Sequence, residues 1–222
     1  MSSAPSADVA DDYESNVFVN CPFDTKYLTL LRPLLFTIAY LGYRPRISAE
    51  RSDSGENRLD KICELIRQSR FSIHDLSRLK AARAHELYRM NMPFELGIDY
   101  GSRQHGPDFM KSKKYLILEK EPHDFKKALS DLSGVDIKSH GNEPDEVIRA
   151  IRDWFYETVG LRDAPYPTTI WLQFNEFTTS LFEARLAEGI PEEDVKEDIA
   201  RMPISEYLNC VADWVASAKS SS

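Results

Sequence analysis

Little in this sequence points to a membrane, a metal centre or a disulfide framework. No apolar run approaches the roughly 20 residues that span a bilayer. The longest, around Leu28 to Leu41, is broken by Arg32, Pro33 and Thr37. The three cysteines, Cys21, Cys63 and Cys210, are far apart, and no CxxC or Cys/His spacing suggests a ligand set. A reducing, cytoplasmic setting is expected, without a metal and with the cysteines as buried bystanders. A surplus of basic residues is also missing. The formal net charge is −8, which disfavours duplex nucleic acid as a partner but leaves small anionic ligands open. The first residues, "MSSAPSADVADDYES", lack the basic and apolar regions of a signal peptide and read as a loose acidic tail over 1–15. What is present suffices for an ordinary core: 222 residues, 42% of them hydrophobic.

Strand and helix patterns alternate from 16 to 160. Val17 to Asn20 reads as a buried strand, followed by a loop with Asn20, Pro22 and Asp24. Lys26 to Leu41 reads as a helix, with Pro33 either opening its main part or kinking it and Gly42 ending it. "YRPRISAE" reads as an edge strand because of Pro45. "NRLDKICELIRQS" reads as an amphipathic helix with Leu59, Ile62, Cys63, Leu65 and Ile66 inward. Strands at "RFSIHDLS" and "KYLILE", a short helix at "HDFKKALSDLSG", a weak strand at "VDIKSHG" and a helix at "EPDEVIRAIRDWFYETVG" complete the set. This alternation predicts a doubly wound α/β domain with a mostly parallel five-stranded sheet. Residues 161–222 read as a Pro-containing linker and a helical C-terminal extension without catalytic spacing. Its aromatic stripe of Trp171, Phe174, Phe177 and Phe182 predicts packing, on the first domain or on a second copy or partner protein.

In such folds the loops at the carboxyl ends of the strands form the ligand crevice. One stretch there, "RMNMPFELGIDYGSR", places Glu95 between Phe94 and Leu96. Pro93 suits a first helical position, which would put Glu95 in the first turn as a dipole-favoured cap. The alternative is chemistry. The segment from Ser77 to Met92 is about 16 residues, a length typical of lids and binding loops. The third strand ends in "IHDLSR", and the second empties into the polar "RSDSGE". A carboxylate facing acidic and hydroxyl groups across a crevice suits a sugar, and it can attack or stabilise an oxocarbenium-like anomeric carbon.

A strand ending in Asp75, a loop and then "MPFELGIDYG" resembles the nucleoside 2-deoxyribosyltransferase-like proteins. The wider relatives are TIR-like domains. The set "VFVNCPFD…RLDKI…IHDLSR…NMPFELG" is also similar to a group of bacterial proteins, some of them expected to be antiphage effectors. The resemblance covers about Val17 to Tyr156. It implies a flavodoxin- or TIR-like fold and cleavage of an N-glycosidic bond in a nucleoside, nucleotide or NAD, with NAD a substrate and no cofactor required. It implies Glu95 as nucleophile and Asp75 as the acid that orients the sugar or the carboxylate. Asn20 and Phe23 then line the base or ribose. Asp24, Arg51, Asp53, Ser77, Arg78, Asn91 and Asp99 complete the candidate binding set.

Several of these residues have plainer readings. His74 reads as a core histidine on the face opposite Asp75. Asp99, four residues beyond Glu95, either couples to it or is solvated. Arg78, Arg83 and Arg89 either hold a phosphate or carry solvated loop charge. Gly97 and Gly101 predict close packing on the sheet. Competing with the enzyme are a nucleotide-sensing module and a TIR-like interaction scaffold.

Overall fold

A computed structural model of the chain describes residues 12–78, 90–122, 124–127, 129–132 and 134–220. Strands β1 (Asn16–Asn20), β2 (Arg44–Ile47), β3 (Phe71–Asp75), β4 (Lys114–Glu119) and β5 (Lys138–Ser139) form one sheet in the order β2-β1-β3-β4-β5. All four pairings are parallel. The chain runs outward from β1 to β2 and then crosses to β3 on the other side of β1. The carboxyl ends of β1 and β3 therefore flank a topological switch point, where such sheets bind ligands. β2 is the edge strand that Pro45 predicts.

Residue alternation divides the two faces of the sheet. Val17, Val19, Phe71, Ile73, Leu116 and Leu118 join one core with helices α1 (Leu28–Tyr40) and α4 (Pro144–Trp154). On the other face Phe18 packs with Ile62, Leu65 and Ile66 of α2 (Arg58–Arg67), and Ile117 with Met92 and Leu96 of α3 (Asn91–His105). α1 continues unbroken through Pro33, whose carbonyl accepts the Thr37 hydroxyl at 2.6 Å. Gly42, at φ +89°, closes the helix: its own N–H reaches Ala39 O and that of Tyr43 reaches Ile38 O, both at 3.0 Å.

Three local expectations change. In α2, Leu59 and Cys63 point outward, and the buried stripe is Ile62, Leu65 and Ile66. Asn57 caps the N–H groups of Leu59 and Asp60 and begins the helix at Arg58, and packing of Ile62, Leu65 and Ile66 on Phe18 sets which face is buried. Cys63 is thus an exposed cysteine, whereas Cys21 is buried. The described part of "HDFKKALSDLSG" forms two 3₁₀ turns, Phe125–Lys127 and Ser130–Leu132, in place of a short α-helix. Phe125 is fully buried there, and its N–H is held by the Glu119 carboxylate at 2.6 Å. A segment this short has too few residues to repay the cost of nucleating an α-helix. Gly97 and Gly101 do not pack on the sheet, since a Cβ at either would meet nothing within 4 Å.

The C-terminal extension shares the core of the α1–α4 layer. It comprises α5 (Pro167–Ala187), α6 (Glu192–Arg201) and α7 (Ile204–Ser220). Phe36 of α1 stacks on Phe177 and meets Phe174 edge-on, both with centroids 5.5 Å away, and lies 5.7 Å from Trp214. The linker is pinned, because Arg152 donates to Ala164 O at 2.9 Å and Pro165 O at 2.8 Å. Trp171, Phe174 and Phe177 of the aromatic stripe pack into the core that the first domain provides. Among the described residues no helix is long and apolar enough to cross a membrane.

Candidate active site at the carboxyl edge of the sheet

Helix α3 starts earlier than its proline suggests. Met90 is the N-cap residue, and Phe94 N–H bonds to Met90 O at 3.1 Å. Pro93 is therefore the third helical residue and Glu95 the fifth. First-turn N–H groups have no intrahelical partner, so a proline is tolerated at any of those positions. Glu95 lies one turn inside the helix and does not cap it. It is only 5% exposed. Among the described residues no hydrogen bond reaches its carboxyl group. Burial raises its pKa to about 7, against the opposing pull of the Arg58 guanidinium.

Two other buried carboxylates, by contrast, have hydrogen-bonding or cationic partners. Asp75 ends β3 and is completely buried. Its Oδ1 accepts Ser77 N–H at 2.8 Å, its Oδ2 accepts the Tyr27 hydroxyl, and His140 Nε2 lies 3.2 Å away. Burial alone would push this carboxyl up, but His140, Ser77 and Tyr27 hold it below the usual range. Asp99 is also completely buried. It lies 3.0 Å from His74 Nε2 and 3.2 Å from Lys113 Nζ, which outweigh burial and lower its pKa. Neither coupling to Glu95 nor solvation describes Asp99; it belongs to a buried ion pair.

His74 is the core histidine that the alternation predicts, on the face opposite Asp75. Its Nδ1 meets the amide nitrogen of Asn20 at 3.0 Å. That nitrogen also donates to Met92 O at 2.9 Å. An amide N–H donating to Nδ1 leaves the proton of a neutral His74 on Nε2, facing Asp99. A ladder of buried groups thus runs from Lys113 through Asp99, His74 and Asn20 to the first turn of α3.

The remaining candidates separate into two groups. Asp24 accepts Tyr27 N–H at 3.1 Å and pairs with Arg78, whose guanidinium lies 5.9 Å from the Tyr27 ring. Ser77 lends its backbone to Asp75. Phe23 is half-exposed under Arg58, 5.8 Å from ring centroid to guanidinium, and Asn91 is exposed at the first position of α3. Cys21 is buried in the loop after β1. Burial raises its thiol well above the ordinary value, and the negative charges of Asp75, Glu95 and Asp24 add to the effect. Arg51 and Asp53 stand apart. Arg51 pairs with Glu64 at 3.0 Å and Glu56 at 3.2 Å, and Asp53 holds Gly55 N–H in its own exposed turn. A groove of about 680 Å³ between the β2 edge and α7, lined by Tyr43, Pro45, Leu208 and Val215, includes Arg51 but no member of the Glu95 group. Residues 79–89, which include Arg83, Arg89 and most of the Ser77–Met92 segment expected to form a lid, lie outside the described residues.

Sequence reasoning missed Arg58, Tyr27 and His140. Arg58 carried a signal, since it is the first residue after a polar loop at the carboxyl edge. Tyr27 and His140 carried none, because their partner Asp75 is remote in sequence. Among the described residues no group of three or more His, Cys, Asp or Glu side chains is placed to hold a metal ion. No family model, curated protein or solved structure matches the chain.

Proposed function

We propose that the chain cleaves the N-glycosidic bond of a nucleoside, nucleotide or NAD, with Glu95 acting at the anomeric carbon. One contrast carries the reading. Asp75 and Asp99 are buried with donors that make them stable anions, whereas Glu95 is buried at the switch-point edge with none among the described residues. Burying a carboxyl group without a partner costs stability. Such a cost is characteristic of groups kept for chemistry.

At a pKa of about 7, both protonation states are populated near neutrality, as acid–base and nucleophilic catalysis require. As the C1′–N bond breaks, its electron pair leaves with the base and positive charge develops on the sugar. The ionised Glu95 stabilises that charge or bonds to C1′. Water then attacks C1′, frees the carboxylate and loses a proton. Asp75, with both oxygens engaged, fixes the β3 end and the Ser77 backbone. The test is incubation with a panel of nucleosides, nucleotides and NAD, with released base read by chromatography. Glu95→Gln is expected to lower release by at least about a hundredfold, because a neutral amide neither attacks nor stabilises a cationic carbon. Release at the parental rate by a normally folded variant overturns the reading.

A further inference from the structure

We infer that Arg58 is a phosphate-holding residue, and that the substrate of the Glu95 site is a phosphorylated nucleoside, a nucleotide or dinucleotide, in preference to a free nucleoside. This rests on the reading of Glu95 given above. Arg58 is the first residue of α2 and is exposed. Its guanidinium lies over the Phe23 ring at 5.8 Å, and it is the charge that acts on Glu95.

The neighbouring arginines are already matched with acids. Arg46 pairs with Glu50, Arg51 with Glu56 and Glu64, and Arg78 with Asp24. Arg58 has no ion pair among the described residues. Its charge nonetheless reaches the Glu95 carboxyl group, where it opposes the effect of burial. The backbone N–H groups of Leu59 and Asp60 are already capped by Asn57 at 2.9 and 3.4 Å. The guanidinium is a donor still on offer at this helix start. A guanidinium laid on an aromatic face is pre-oriented, with its in-plane N–H groups directed away from the ring. Planar forked donors match the oxygens of a phosphate. Among the substrates of N-glycosidic cleavage, phosphate is the anionic group available to meet them. A free nucleoside brings no anionic group to Arg58.

The test uses the full chain carrying Glu95→Gln, so that binding is read without turnover. Calorimetric titrations compare adenosine, adenosine 5′-monophosphate and NAD, with and without Arg58→Gln or Arg58→Lys. Arg58→Gln is expected to weaken monophosphate and NAD binding at least about tenfold and to change adenosine binding less than about twofold, while Arg58→Lys retains part of the affinity. Added salt weakens the phosphorylated ligands selectively. Equal affinity of the parent for adenosine and its monophosphate, unchanged nucleotide binding in Arg58→Gln, or no nucleotide binding at all overturns the inference. Base release that depends on Glu95 but not on Arg58 overturns this inference alone. Arg58-dependent nucleotide binding without any base release overturns the Glu95 reading alone.

Discussion

The side-chain amide of Asn20, at the end of β1, donates to the carbonyl of Met92 in the first turn of α3 at 2.9 Å. One strand end thereby holds the helix that carries Glu95. The same amide nitrogen meets His74 Nδ1 at 3.0 Å, so Asn20 joins two buried acceptors. Asn20→Ala leaves both without that donor. A loss of about 1–3 kcal/mol is expected, measured by denaturant unfolding, together with lowered base release. A variant as stable as the parent would show that the amide does not hold α3.

Glu95 and Asp99 give opposite pH dependences. The folded pKa of Glu95, about 7, lies above its ordinary 4.5. Between those values the folded chain binds more protons than the unfolded one, so stability falls as pH rises and levels off above about 7. Glu95→Gln removes this penalty. Its melting temperature is expected to exceed the parent's above pH 7 by more than it does near pH 4.5.

The folded pKa of Asp99 lies below its ordinary 3.8. Its contribution is present above that value and is lost as pH falls through the lower folded pKa. Asp99→Asn is expected to flatten the acid limb. At neutral pH it is also expected to cost about 3–5 kcal/mol, because Lys113 is left as an unpaired buried cation. Melting curves from about pH 3 to about pH 9 separate the two effects. A parallel acid limb in Asp99→Asn would remove the assignment.

Gly97 and Gly101 lie inside α3, where a Cβ has room. Glycine in a helix interior costs roughly 0.5–1 kcal/mol relative to alanine. Gly97→Ala and Gly101→Ala are therefore each expected to raise stability by about that amount, read from the denaturant midpoint. A loss instead of a gain would mean that these glycines meet a close partner in solution.

Phe177 is buried against Phe36, Tyr207 and Trp214. Phe177→Ala is expected to cost about 3–5 kcal/mol. Removing Pro165 to Ser222 uncovers Phe36 and its neighbours on α1, so the shortened chain is expected to lose cooperative unfolding. A truncated chain that melts as sharply as the parent would show that the first domain folds alone.

The sequence by itself determined the alternating α/β order, the edge position of β2, the stop at Gly42 and the prominence of Glu95. Each follows from local terms: hydrophobic period, a missing N–H, a positive φ, a carboxylate in an apolar run. Which acids are partnered was decided by tertiary structure. Asp75 and Glu95 look alike in the chain, yet one receives the Tyr27 hydroxyl from 48 residues away and the other receives no hydrogen bond among the described residues. The phase of α2 that turned Leu59 outward, the outward Gly97 and Gly101, the placing of Arg58 over Phe23 and the seating of the C-terminal aromatics on Phe36 were settled the same way. Burial and its compensation depend on groups that approach only when distant elements pack together, and no local pattern carries that information.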